Sequence, residues 1–253
     1  MVGIVVVSHS GALADGVISL AREMGGAELA LEAAGGIEDS DPAHPVLGTD
    51  AERVRAAIER AMSPDGVLVL MDLGSALMSA ELAIELLGDP PGPVKLSAAP
   101  LVEGAVAAAA AAAGGASLEE VAVEARGALA MKSAQIDDSD QPAEGATESP
   151  EAGSAPGGAP GEVRAELPVP NAIGLHARPA ARFVQIAGGF DAEVHVAKLG
   201  AGAPVRATSL TNVIALGARL GDTLVVTAAG AQAQAAIDAL RALADSGFGD
   251  GVG

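Results

Sequence analysis

The stretch Gly174-Leu175-His176-Ala177-Arg178-Pro179-Ala180-Ala181 places a nucleophile, a cation and a helix start within a few residues. Proline is accommodated in a first helical turn, where its missing N–H would have had no intrahelical partner. The spacing predicts a helix over 177–187 with His176 just ahead of it. First-turn amides point outward at the positive end of the helix dipole and make a ready anion site. Arg178, two residues after the imidazole, has the chemistry to pair with equatorial oxygens of a phosphoryl group. His176, Arg178 and the Ala177 amide therefore have the types and spacing of a site where histidine carries a phosphoryl group for a time. A histidine at a helix start is more often a plain surface residue, and position alone does not separate the two readings.

A second imidazole, His9, follows the apolar run 2–7, and Asp72 lies at the close of another run, 66–73. Both runs read as strands buried on both faces. In an open parallel sheet, ligands bind beyond the C-terminal strand ends. If the two strands are neighbours, the Asp72 carboxylate accepts a proton from one ring nitrogen. That fixes the tautomer and presents the other nitrogen as nucleophile. Gly74, Ser75 and the helix start after them offer N–H groups to a phosphate. The alternative is that His9 merely ends a strand and Asp72 caps the next helix, and spacing leaves both open.

The elements that must position these residues fall into two sets. Over 1–133, strands at 2–7, 28–33, 66–73 and 94–98 alternate with helices whose apolar residues recur at helical spacing, such as Leu13, Val17, Leu20, Ala21 and Met24. Thr49-Asp50-Ala51-Glu52 reads as a capping box opening one helix. Helices at 75–87, 102–113 and 118–132 complete the set. Alternation of this kind implies a parallel sheet with right-handed crossovers. Over 163–248 the order is βαββαβα, with strands at 163–169, 192–197, 204–207 and 223–227 and helices at 177–187, 210–216 and 231–244. That order predicts a mainly antiparallel sheet with helices on one face. Between the sets, 134–162 is Pro, Gly, Ala, Ser and acid without a basic residue. It is expected to be a disordered linker with a root-mean-square reach of roughly 30 Å.

Composition narrows the classes further. Half of the residues are hydrophobic while aromatics make up 1%, so the cores must be built from small aliphatic side chains. A net charge of −19 argues against nucleic acid and anionic membrane as partners. The absence of cysteine excludes thiolate catalysis and zinc–thiolate sites. No run reaches the roughly 20 apolar residues of a membrane span, and no targeting signal is recognisable at the start, so a cytoplasmic protein is expected. Glu38, Asp39 and Asp41 read as solvated loop acids, leaving no expected metal site. His44 reads as a surface residue, and His195, between Val194 and Val196, as lying on the solvated face of a strand.

The word Gly-Leu-His-Ala-Arg-Pro-Ala-Ala resembles the active-site segment of HPr, the histidine phosphocarrier of the bacterial phosphoenolpyruvate:sugar phosphotransferase system. The similarity continues through Gly188-Gly189-Phe190, Ser209-Leu210, Leu216-Gly217 and Gly221-Asp222-Thr223-Leu224-Val225-Val226, and covers 163–248. The N-terminal half, through Gly3-Ile4-Val5-Val6-Val7-Ser8-His9-Ser10, Gly35-Gly36, Gly48-Thr49, Met71-Asp72-Leu73-Gly74-Ser75-Ala76 and Pro100-Leu101-Val102-Glu103-Gly104-Ala105, resembles mannose-type IIA domains. It is more similar still to the phosphotransfer subunits of phosphoenolpyruvate-dependent dihydroxyacetone kinase, the DhaM family.

The resemblance implies a two-domain α/β protein, with an open parallel-sheet IIA-like domain followed by an HPr-like α+β open-faced sandwich. It also implies a phosphotransferase role in which enzyme I phosphorylates His176 and His176 passes the group to His9, which Asp72 orients. The final acceptor would be ADP on the L subunit of the kinase, which with the K subunit phosphorylates dihydroxyacetone. No cofactor is expected beyond the transient phosphoryl group, and IIA domains of this type imply a homodimer. Longer members continue into part of enzyme I, whereas this sequence stops at Gly253, so a separate enzyme I is expected. Two other readings are a IIA–HPr fusion feeding a mannose-type sugar permease and a regulator sensed through its phosphorylation state. Ser209 sits where some HPr proteins carry a regulatory phosphoserine. Its neighbours Thr208, Thr211 and Asn212 depart from that pattern, which favours a helix N-cap.

Overall fold

The computed structural model describes residues 1–37, 46–130, 132, 162–171 and 173–249, which cluster into two compact units, Met1–Leu129 and Ala130–Gly253. The segment read as a linker falls outside the described residues except for Glu162, as do Glu38, Asp39, Asp41 and His44.

In the first unit the chain runs β1 (Gly3–Ser8), α1 (Gly11–Gly25), β2 (Leu31–Gly35), α2 (Ala51–Ala61), β3 (Val67–Met71), α3 (Gly74–Leu87), β4 (Val94–Ser97), α4 (Leu101–Ala113) and α5 (Leu118–Gly127). The strands form one parallel sheet in the order β2-β1-β3-β4. β1 is apolar from Ile4 to Val7 because both of its faces are covered. Ile4 and Val6 pack with α1, α4 and α5. Val5 and Val7 pack with Val54, Ala57 and Ile58 of α2 and Ala76, Ala80 and Ala83 of α3. Alanine at these helix positions brings helix and sheet close together, so a core without aromatic rings still fills.

Two local features differ from the expected ones. β2 begins at Leu31 rather than Glu28, because Gly26 turns the chain at φ +80° and the segment after it is a turn. The cap of α2 is Asp50 rather than Thr49: its carboxylate accepts the Arg53 amide at 3.0 Å. The Thr49 hydroxyl is engaged instead with the Ser79 hydroxyl at 2.7 Å.

The second unit runs β5 (Val163–Pro168), α6 (Ala177–Gly188), β6 (Glu193–Lys198), β7 (Ala201–Arg206), α7 (Leu210–Ala215), β8 (Thr223–Ala229) and α8 (Ala233–Asp245). Its strands are antiparallel in the order β5-β8-β6-β7. Alternation sets the inner face: Ala165, Leu167, Val194, Val196, Leu224, Val226 and Ala228 are buried. Phe183 and Phe248 are fully buried with ring centroids 6.5 Å apart. β7 starts earlier than periodicity indicated, since Ala201 pairs with Lys198 across a tight turn whose residues carry no alternation. Among the described residues no helix is long and apolar enough to cross a membrane.

Candidate functional site

β1 and β3 are neighbours in register, Val7 opposite Met71, so the residues just beyond their C-terminal ends meet. The Asp72 carboxylate accepts four hydrogen bonds there. Oδ2 takes the Ser8 hydroxyl at 2.8 Å and the His9 amide at 2.9 Å. Oδ1 takes the His9 ring at Nδ1, 2.9 Å, and the Leu73 amide at 2.7 Å. Partial burial would raise the Asp72 carboxyl, but the donors from His9, Ser8 and Leu73 outweigh it and hold the group below its ordinary range. An ionised carboxylate only accepts, so the His9 ring donates from Nδ1, and in the neutral ring the lone pair is then on Nε2.

Nε2 faces the Ser75 hydroxyl within hydrogen-bond distance. The His9 side chain is 25% exposed and that of Asp72 14%, so the ring edge is reachable while its partner is shielded. The His9 backbone is anchored as well, its carbonyl accepting the Gly48 amide at 2.9 Å. Gly35 permits this close packing. A Cβ there would lie 2.7 Å from the Ser10 carbonyl oxygen. Gly74 and Ser75 are the first two residues of α3, which has no side-chain cap. Their amides therefore lie in the first turn, as expected for an anion cradle.

In the second unit His176 is the N-cap of α6, extended at φ −78° and ψ −177°, with its carbonyl accepting the Ala180 amide at 3.0 Å. The turn before it is locked from behind. The Gly174 amide donates to the Asn171 carbonyl and the Leu175 amide to the Ala218 carbonyl, each at 2.9 Å. Gly174 has φ +76°, and a Cβ there would lie 2.3 Å from the Ala218 carbonyl oxygen, so both conformation and space demand glycine. Ala177 and Arg178 are exposed in the first turn while Pro179 is buried beneath them. His176, Ala177 and Arg178 thus share one helix start, and His9, Asp72, Gly74 and Ser75 share one strand-end cluster in the other unit.

Sequence reasoning missed two groups, Ser8 as a donor to Asp72 and the Ser75 hydroxyl on Nε2. The Ser8 signal was present: a hydroxyl at the end of a strand buried on both faces must find a partner. Ser209 caps α7, accepting the Asn212 amide at 3.2 Å, and is nearly buried. His195 is partly exposed between buried Val194 and Val196.

Comparison with known proteins places both clusters inside recognised families. Residues 3–122 match the PTS system fructose IIA component family, and residues 163–246 match the PTS HPr component phosphorylation site family. The chain is 42% identical over 99% of its length to the "PEP-dependent dihydroxyacetone kinase, phosphoryl donor subunit DhaM" of Pantoea ananatis, and covers 51% of that protein. It thus spans about half the length of the curated relatives it matches first. Over 47% of the chain it is 36% identical to the "PTS-dependent dihydroxyacetone kinase, phosphotransferase subunit DhaM" of Lactococcus lactis, covering 89% of that protein. Among solved structures, HPr from Thermoanaerobacter tengcongensis is 36% identical over 35% of this chain and 97% of its own, with a TM-score of 0.33. The chain belongs to the DhaM family of dihydroxyacetone kinase phosphotransfer subunits.

Proposed function

We propose that this protein is a two-step phosphohistidine relay feeding a dihydroxyacetone kinase. Enzyme I, charged from phosphoenolpyruvate, phosphorylates the His176 imidazole, and the first-turn amides and Arg178 hold the incoming oxygens. In the second step the His176 N–P bond breaks as a new one forms at His9 Nε2. The lone pair there attacks phosphorus in line, and Asp72 stabilises the positive charge that develops on the ring. The third step passes the group from His9 to ADP on the kinase L subunit, which with the K subunit phosphorylates dihydroxyacetone. Donor and acceptor are both imidazoles in the middle step, so positioning rather than driving force decides its rate.

The observation that carries this reading is the Asp72–His9 Nδ1 contact with Nε2 left at the surface edge. The names of the relatives support the kinase over a sugar permease. Residues 1–133 act as the IIA-like domain, 134–162 as the linker and 163–248 as the HPr domain. The reading places the protein in the cytoplasm, with no tightly bound cofactor. Its first unit pairs with a second copy through α3, where Met78, Leu82 and Leu86 form an exposed stripe spaced by four. Leu82→Glu should leave a monomer in sedimentation; an unchanged dimer would reject that face.

The test of the relay uses enzyme I, phosphoenolpyruvate, ADP and the kinase subunits. His9→Ala should still take label on His176 but yield no dihydroxyacetone phosphate. Product formation at the normal rate would refute the role of His9.

A further inference from the structure

We propose that Thr49 and Ser79 are positioning residues for phosphoryl transfer at His9, their paired hydroxyls setting where α3 holds Ser75 against Nε2. This rests on the relay described above.

The other contacts of α3 locate it only weakly. It meets the sheet and α2 through Ala76, Ala80 and Ala83. Methyl groups permit close approach but interlock little along a helix axis. Its start has no side-chain cap, and a Cβ on Gly74 would meet nothing within 4 Å. Yet this helix carries the Ser75 hydroxyl that faces Nε2. Ser79 lies about one turn further on, on the same face, and its hydroxyl is 2.7 Å from that of Thr49. Both residues are half-buried, where a bond between hydroxyls competes less with water.

The other end of this tie is His9 itself. Thr49 follows Gly48, whose amide donates to the His9 carbonyl at 2.9 Å. Gly48 is packed in turn against Ile37: a Cβ there would lie 2.3 Å from Ile37 Cδ1. A closed circuit therefore runs from the His9 carbonyl through Gly48, Thr49, Ser79 and Ser75 back to Nε2. Asp72 orients the imidazole from the Nδ1 side, and the circuit fixes what stands on the opposite nitrogen. The Ser75 hydroxyl has to leave the lone pair before phosphorus can reach it, so a small shift of α3 alters access to the nucleophile. Asp50 rather than Thr49 caps α2, so loss of the Thr49 hydroxyl leaves that helix start intact.

The experiment charges full-length chains with enzyme I and phosphoenolpyruvate and follows phosphate on His176 and His9 separately by mass spectrometry of fragments. The 15N resonances of the His9 ring are read in the uncharged chains. Thr49→Val keeps the side-chain shape and should charge His176 at the normal rate, while transfer to His9 slows about two- to tenfold and the Nε2 resonance shifts. Thr49→Ser should restore both. Ser79→Ala should match Thr49→Val, and the double variant should be no slower than either. Normal transfer in Thr49→Val, an unshifted Nε2 resonance, a Thr49→Ser chain that stays slow, or losses that add in the double variant would each overturn the proposal. Absence of phosphate on His9 in the unaltered chain would instead refute the relay, with the Nε2 resonance still deciding the role of Thr49.

Discussion

The two histidines are held by opposite means. His176 is placed mainly by its own segment, through a glycine turn, an N-cap position and a proline-buttressed first turn within nine residues of backbone, with one distant tie to the Ala218 carbonyl. His9 is placed by long-range contacts: a carboxylate 63 residues away fixes its ring and its amide, and a buried serine fixes the carboxylate. The local design sets the imidazole through its backbone, at an exposed helix start. The long-range design pre-selects one nitrogen and supplies a counter-charge. A carrier that must be charged and discharged by different proteins suits the first. A residue that must hand its phosphoryl group to a nucleotide suits the second.

This contrast is broken most sharply by Asp72→Asn. The change removes the counter-charge and releases the tautomer, so phosphate transfer onto His9 should fall by about 10²–10⁴-fold while charging of His176 stays normal. Parallel losses at both histidines would mean that the two sites are not independent. Gly174→Ala is the corresponding lesion in the other unit. The positive φ and the 2.3 Å approach to Ala218 should cost about 1–3 kcal/mol, read as a lower unfolding temperature of the HPr-like unit with His9 chemistry preserved. Ser8→Ala removes one of four donors to Asp72 and should slow transfer to His9 by about tenfold, near the low end of the roughly 1.5–3 kcal/mol of a hydrogen bond to a charged group.

The smallest effect is in acid. Asp72 has a depressed carboxyl in the folded state, so its stabilisation is complete above the unfolded carboxylate range near 3.9 and is lost as pH falls through the lower folded value. The stability gap between the unaltered chain and Asp72→Asn should therefore be constant near neutrality and close below about pH 4. A gap that persisted at pH 2 would show that Asp72 stabilises as a neutral group.

The same contrast explains what the sequence disclosed. The helix start at His176 was legible down to the Ala177 amide because one short word makes it, whereas the Ala218 carbonyl that locks the preceding turn was not. The parallel sheet was legible because Ile4–Val7 of β1 and all of β3 are continuously apolar, as double-sided burial requires. The pairing of His9 with Asp72 was reachable only on the condition that β1 and β3 are neighbours, a fact of strand order rather than of spacing. The Ser75 hydroxyl on Nε2 was not legible, since a residue at a helix start announces its amide and not the direction of its side chain. Thr49 misled in a similar way. It and Asp50 are both good caps, and the tie was broken by the Ser79 hydroxyl, 30 residues on.

The central claim is that one phosphoryl group visits both rings, His176 first. The direct measurement mixes the full-length chain with enzyme I and phosphoenolpyruvate, quenches at successive times in alkali, and maps acid-labile phosphate by mass spectrometry. Phosphate should appear on His176, then on His9, and on neither ring in His176→Ala. Phosphate on His9 in the His176→Ala chain, or on neither ring of the unaltered one, would contradict the account.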